Sequence, residues 1–498
     1  MKVARIASCL NRPDSLIFLP PALLAALSFG GEAALVPLAV VLLAVLAVRR
    51  RSGRTTDSPP ASDQVVSALD AALAEGAGSG ASTGCFVIQF DDASDLCDRH
   101  GRVRQSELLA ACIARLRGAL RPGDRLYALE DGNMAVVLGP TLRLDLEAMI
   151  AIAGRLQLVV QQPMPLCLDV AQVTCSIGFC HARLLPSPDG QAVLEAAQIA
   201  ADEAGRHRPA AIRAYTSDLA GARSARDALR ADFVSAVEGG QIRAHFQPQV
   251  STDSGEVTGV EALARWHHPE RGILSPAEFL PAIEGTELML QLGQTMIDQG
   301  LTALAAWDLA GLRVPTVAVN LSPLELRDPY LPDRLRWELD RHDLSPSRLT
   351  IEVLESVIAG GADDAIARNV ARISDMGCGV DLDDFGTGNA SITSIRRFAL
   401  ARLKIDRSFV REVDIDRGQQ RIVTAILAMA EQLGLDTLAE GVETPGEHAM
   451  LAQLGCAHVQ GYVLARPLPM DEVATWLSQY RDRLSDALRI GIRAERPN

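Results

Sequence analysis

Glu261, Asn320, Glu352, Asp383, Asp384, Lys404, Asp406, Glu440 and Gln460 are the polar ends of short apolar runs: 260–263, 317–320, 349–352, 379–384, 402–406, 437–440 and 458–460. If these runs are strands that open on one mouth, Glu261, Glu352, Asp383, Asp384 and the Asn320 amide converge there. Four carboxylates so placed repel one another, and one or two divalent cations are the natural remedy. Ligands that are all oxygen favour Mg2+ or Mn2+ over zinc. The adjacent aspartates suit a bridged pair, with Asp383 shared and Asp384 on the second ion. Two ions about 4 Å apart generate hydroxide and stabilise the leaving oxygen in an in-line phosphodiester displacement.

The spacing says what must hold these residues. After a first gap of 59 residues, the intervals between polar ends run from 20 to 36. Segments between them, such as 365–376 and 421–433, carry helical apolar spacing. That rhythm predicts a (β/α)8 barrel over 225–485, a fold that places its chemistry at the C-terminal ends of its strands.

The motifs along this stretch run Phe246-Gln247-Pro248, Glu261-Ala262-Leu263-Ala264-Arg265-Trp266, Asn320-Leu321-Ser322, Asp383-Asp384-Phe385-Gly386-Thr387-Gly388, Lys404-Ile405-Asp406, Ala439-Glu440-Gly441-Val442-Glu443 and Gln460-Gly461-Tyr462. In order and spacing they resemble the EAL family of cyclic di-GMP phosphodiesterases. The resemblance implies hydrolysis of cyclic di-GMP to linear pGpG. It implies that Glu261, Asn320, Glu352 and Asp383 hold a first metal and that Asp383, Asp384 and Glu440 face a second. Lys404 would orient the attacking water, and Glu440 could serve as base. Asp406 and Gln460 would position Lys404, water and substrate, and Gln247 and Arg265 would contact the ligand. Glu355 would steady the 384–391 loop and couple the site to a homodimer contact. Glu443 and Asp406 read more readily as supporting than catalytic residues, and His267 and His268 as parts of a turn. Leu354 and Asn389-Ala390-Ser391 depart from the family pattern without removing a ligand. The rival reading is a non-catalytic cyclic di-GMP receptor.

Residues 83–217 alternate strands and helices: strands at 85–90, 126–129, 134–138 and 173–179, and helices at 105–120, 144–159 and 190–205. With Ser176-Ile177-Gly178 and Ala200-Ala201-Asp202-Glu203-Ala204, the stretch resembles a GGDEF (diguanylate cyclase) domain, an α+β fold. The turn Glu130-Asp131-Gly132-Asn133-Met134 lacks the glycine pair, and Asn133 and Gln89 stand where two metal-binding acids belong. Cyclase chemistry needs carboxylates at both places, so none is expected, and a regulatory role is. Arg121 and Asp124 match the spacing of that family's RxxD inhibitory site, although Pro122 and Gly123 also suit a plain turn.

Two apolar runs, 16–29 and 34–48, open the 498-residue chain. Each is shorter than the ~20 residues of a straight bilayer-spanning helix. Lys2, Arg5 and Arg12 precede them, and Arg49, Arg50, Arg51 and Arg54 follow. A two-span hairpin at residues 1–51 in a bacterial inner membrane, with both ends cytoplasmic, satisfies the positive-inside rule. A cleaved signal peptide is the rival. Residues 52–82 read as a linker with a short amphipathic helix at 63–75. The net charge of −14 argues against polymeric nucleic acid as a partner. Nine cysteines without a CxxC pair argue against a disulfide frame or a zinc site of that kind.

Overall fold

The computed structural model describes residues 61–91, 107–129, 132–166, 169–359, 364–386, 388 and 391–494. Its contacts divide the chain into two compact units, Met1–Gly221 and Ala222–Asn498. The apolar runs at 16–29 and 34–48 lie outside the described residues. No helix among the described residues is long and apolar enough to cross a membrane.

The first unit is built on β1 (Gly84–Phe90), β2 (Arg125–Ala128), β3 (Met134–Val137), β6 (Cys175–His181) and β7 (Ile212–Ala214), in the order β2-β3-β1-β6-β7. β4 (Met164–Leu166) and β5 (Asp169–Ala171) form a separate hairpin. Alternation along β1 explains the layers. Phe86, Ile88 and Phe90 face a core closed by Leu108, Cys112 and Leu116 from a helix at 107–119 and by Met149, Ala153 and Leu156 from the helix Leu146–Gln161. Cys85 and Val87 face the opposite core, with Val193, Ala197 and Ala201 of the helix Gly190–Arg206. Gly178 lets that helix come close: a Cβ there would lie 1.8 Å from the Ala201 nitrogen.

The expected linker, residues 52–82, is structured in its second part. The helix expected at 63–75 spans Ala61–Ala77; Val65, Ala68 and Leu69 enter the same core, and Ala72 is buried as well. Asp70 Oδ1 accepts a 2.6 Å bond from the Gly190 amide at the start of the neighbouring helix. The stripe at i, i+4 and i+7 makes this helix part of the unit.

The second unit is entered along the helix Ser217–Glu238, whose Phe233 packs edge-on to Trp266 at 5.5 Å and stacks on Phe279. Its strands are β8 (Ile242–Ser251), β9 (Val257–His268), β10 (Gly272–Leu274), β11 (Val317–Asn320), β12 (Leu349–Leu354), β13 (Gly379–Phe385), β14 (Arg402–Ile405), β15 (Asp436–Ala439), β16 (His458–Gln460) and β17 (Leu468–Pro469). β9 and β11 to β16 pair in parallel, and β8 pairs with both β9 and β16 to close an eight-stranded, TIM-like barrel. β8 departs from a regular (β/α)8 pattern, because it runs antiparallel to both neighbours. A tight turn at 252–256, with Gly255 at φ +70°, joins it directly to β9.

β13 carries an irregularity that the site needs. Its pairing with β14 shifts between Leu382 and Phe385, and Asp384 sits at φ 53°. In a regular strand successive side chains face opposite sides. The bulge breaks that alternation and turns Asp383 and Asp384 toward the same mouth.

Candidate active site at the barrel mouth

Lys404 is the centre of the site. Rising from β14, it is fully buried, with Nζ 2.7 Å from Glu352, 3.0 Å from Asp383, 2.5 Å from Glu440 and 3.7 Å from Glu261. Glu261 comes from β9, Glu352 from β12, Asp383 from β13 and Glu440 from the residue after β15. Five strands therefore contribute to one charged cluster. Asn320, at the end of β11, donates to Glu261 Oε1 at 2.8 Å. Gln460, at the end of β16, donates to Glu261 Oε2 at 2.5 Å and to Gln247 Oε1 at 3.1 Å. Gln247 in turn donates to the carbonyl of Ala465. Glu261 lies inside the twelve-residue β9 rather than at its end, and Gln247 is its register partner on the antiparallel β8.

One lysine beside four carboxylates leaves an excess of negative charge in a buried place. Burial, and then the neighbouring Glu261, hold Glu352 well above the usual carboxylate range. Burial pushes Glu440 up to about 8. It pushes Asp384 up to about 6, with Asp383 and Asp406 adding to the shift. Burial alone would pull Lys404 down, but Asp383, Glu261, Glu352 and Glu440 outweigh it and hold the ammonium charged. Glu261 also resists burial: Lys404 and the amides of Gln460 and Asn320 keep its carboxyl below its ordinary value.

These residues fit a divalent metal. Asp383, Asp384 and Glu440 each bring a carboxylate oxygen within 4.8 Å of the others. Glu352 Oε2 is buried and accepts no hydrogen bond, a state that is costly unless a cation or proton meets it. The donors are all oxygen, as hard cations require.

The remaining expected residues fall around this cluster. Glu355 lies outside it: its Oε2 accepts from the amides of Gly386 at 2.6 Å and Gly388 at 3.1 Å, so it braces the loop after β13. Asp406 caps the short helix Arg407–Val410 through the Ser408 amide, 2.9 Å away. Glu443 is exposed. Arg265 is half-buried, with one guanidinium nitrogen on the Ala264 carbonyl. His268 accepts from the amides of Glu270 and Arg271 and so closes the hairpin turn, while His267 meets His245 at 3.2 Å.

A supporting layer was missed from sequence. Gln249 donates to Gln460 Oε1 at 2.8 Å and accepts from Arg402 at 3.0 Å, and Arg402 is paired with Asp381. Gln249, Asp381 and Arg402 stand two residues from Gln247, Asp383 and Lys404 on the same strands. The period of two was the signal that could have found them.

In the first unit the corresponding polar residues are paired with one another. Gln89 donates to Asp202 at 3.2 Å. Asp91, buried, accepts from Ser176 at 2.6 Å and from the Ala210 amide at 2.9 Å. Arg121 forms an ion pair with Asp124 at 3.0 Å and donates to the Gly139 carbonyl and to Thr141, while the Gly139 amide donates to Asp124. The Arg121–Asp124 pair thus ties a turn to the strand exit at 139–141. Glu130 and Asp131 lie outside the described residues.

Residues 228–467 match the family model described as the EAL domain. This stretch is an EAL domain. Over a longer span the chain is 33% identical across 392 residues to the bifunctional diguanylate cyclase/cyclic di-GMP phosphodiesterase MucR of Pseudomonas aeruginosa, a match covering 78% of this chain and 56% of MucR. It is 32% identical across 415 residues to the cyclic di-GMP phosphodiesterase NbdA of the same organism, covering 81% and 51%. The chain spans about half the length of these curated relatives. Among solved structures, the PaMucR phosphodiesterase in complex with c-di-GMP is similar to the EAL domain at 40% identity and a TM-score of 0.47, covering 49% of this chain and 99% of that one.

Proposed function

We propose that the chain hydrolyses cyclic di-GMP to linear pGpG at the mouth of its EAL barrel. The observation that carries this reading is the buried Lys404 ringed by Glu261, Glu352, Asp383 and Glu440. Glu261, Asn320, Glu352 and Asp383 would hold one cation and Asp383, Asp384 and Glu440 a second, Mg2+ or Mn2+ by donor chemistry. When bound, such ions supply a deprotonated water and neutralise charge on the phosphate.

The chain's own residues do the rest. Water adds across one of the two phosphodiester bonds: a P–O bond forms, the ring's P–O bond breaks, and the leaving oxygen takes a proton. Lys404 keeps its proton through this sequence. Its ammonium aligns the nucleophile and offsets the charge that grows on the phosphoryl oxygens. Asn320 turns its amide to present its oxygen, which releases Glu261 Oε1. Gln460, fixed by Gln249, keeps Glu261 Oε2 pointed inward, and Gln247 and Arg265 face the ligand from β8 and β9. Glu440 is the proton acceptor nearest to Lys404. Glu355 acts through the glycine loop, which it braces.

The first unit is read as a GGDEF-like regulator without cyclase chemistry. The strand order, the Gln89–Asp202 pair and Asn133 in the turn support this reading. The Arg121–Asp124 pair is read as structural. The apolar runs at 16–29 and 34–48, with their basic flanks, support anchoring in a bacterial inner membrane with the EAL domain in the cytoplasm. A homodimer through the EAL domain is supported by a mostly apolar groove next to the glycine loop, lined by Phe385, Arg421, Ile422, Ala425, Ile426 and Met429.

Incubation of the full chain with cyclic di-GMP and Mg2+ or Mn2+, followed by chromatography, tests the proposal. The expected product is pGpG, lost in Glu261→Ala. Tight binding without product would favour the receptor reading instead.

A further inference from the structure

Among the described residues outside the barrel mouth, one group of potential metal ligands combines nitrogen and oxygen donors. Asp298 lies on the helix Leu288–Leu309. Glu338 and His342 lie one turn apart at the end of the helix Leu331–Arg341, so both face the same side. A carboxylate oxygen of Asp298, one of Glu338 and a ring nitrogen of His342 fall within 4.8 Å of one another. His342 Nε2 already stands 3.6 Å from Asp298 Oδ1. A tetrahedral ion about 2.0–2.2 Å from each ligand needs donors roughly 3.4 Å apart, so only the third ligand must close in by side-chain rotation.

A second observation points to a cation here. The Glu338 side chain is 5% exposed. Its Oε1 is held by Gln294 at 2.7 Å, yet its buried Oε2 accepts no hydrogen bond. The Arg341 guanidinium is the cation that faces this atom. It contacts Asp298 Oδ1, lies 3.2 Å from His342 Nε2, and has its Nε 3.4 Å from Glu338 Oε2. One positive group thus touches all three donor atoms. His342 Nε2 therefore faces the cluster rather than solvent. Arg341 is 44% exposed and lies over the exposed Trp337 ring at 5.3 Å, so it has somewhere to go.

We propose that Asp298, Glu338 and His342 form a second metal site, separate from the catalytic mouth, that takes a divalent transition ion such as Zn2+ in place of Arg341. One imidazole and two carboxylates suit zinc, whereas the all-oxygen mouth suits harder ions. The bound ion would staple the two helices together on the outer layer of the barrel.

The test uses the full chain, stripped with chelator and then dialysed against fixed free Zn2+, with bound zinc counted and thermal unfolding followed. The parent holds one more zinc per chain than His342→Ala or Asp298→Asn, both partly exposed positions whose loss leaves the core intact. At a hundredfold excess over Kd, zinc raises the parent's unfolding temperature by about 5 °C more than theirs. Arg341→Ala binds the ion about fivefold more tightly, because the competing guanidinium is gone. Zinc at the barrel mouth is common to all four proteins and cancels. Equal zinc content and equal unfolding shifts in the parent, His342→Ala and Asp298→Asn would overturn the proposal and leave the cluster as a seat for Arg341 alone.

Discussion

The two units place polar side chains at strand ends in different ways. In the first unit Gln89, Asp91 and Arg121 each have a local answer: Gln89 pairs with Asp202, Asp91 with Ser176 and the Ala210 amide, Arg121 with Asp124. In the barrel, one ammonium faces four carboxylates, and Glu352 Oε2 accepts nothing. What marks the site is buried charge that the protein alone does not balance. Acidic residues near strand ends occur in both units, and so does burial.

The largest effect should come from removing the central cation. Lys404→Met is expected to lower kcat for cyclic di-GMP by about 10³-fold, read in steady-state turnover. Gln89→Ala in the first unit should leave hydrolysis unchanged and produce no cyclic di-GMP from GTP. A comparable loss from both changes would erase the contrast between the units.

Glu325 sharpens the contrast, because it is a buried carboxylate in the barrel unit that belongs to no site. Burial pushes it up to about 7, although the Ser322 amide and hydroxyl favour its charged form. A carboxyl raised from its ordinary 4.5 is fully tolerated below that pH and costs stability as pH climbs through 7. The stability of Glu325→Gln relative to the parent should therefore rise between pH 5 and 8, by up to about 3 kcal/mol. Denaturant unfolding at the two pH values measures this, and hydrolysis should persist in the variant. A flat difference would mean that Glu325 ionises freely.

Glu355→Ala should act through the loop. Losing the acceptor for Gly386 and Gly388 should cut kcat by about 10- to 100-fold while the Kd for cyclic di-GMP stays close to the parent's. A parallel loss of binding would instead put Glu355 in contact with the ligand.

The smallest effect belongs to Arg121→Ala. It should cost about 1 kcal/mol of the first unit's stability, with the number of cyclic di-GMP molecules bound per chain unchanged. Loss of one binding equivalent would restore the RxxD reading.

Much of the barrel mouth was legible because its residues break apolar runs, and a lone acid or lysine ending a strand is visible in one dimension. Lys404 and Gln460 could be placed that way. The layer below was not seen, since Gln249, Asp381 and Arg402 sit inside the runs and show themselves only when alternate residues are followed. The sense of β8 was also missed. Asp253-Ser254-Gly255 is a hairpin signal between two apolar runs, but the expectation of repeating strand–helix units hid it. The bulge at Asp384 depends on a left-handed backbone that no side-chain pattern announces. In the first unit the helix expected at 63–75 is present as Ala61–Ala77; its packing into the unit was hidden by Pro59-Pro60 and the Gly/Ser stretch around it, although Val65, Leu69 and Ala72 already spelled a buried stripe.

On the proposed function, the unbalanced charge at the barrel mouth serves metal-assisted hydrolysis of cyclic di-GMP. The most direct measurement is turnover of cyclic di-GMP by the chelator-treated full chain before and after Mg2+ or Mn2+ is restored. No pGpG is expected without metal, pGpG should form on its return, and Glu261→Ala should give none in either condition. Cyclic di-GMP bound tightly but left intact in the presence of metal would contradict it.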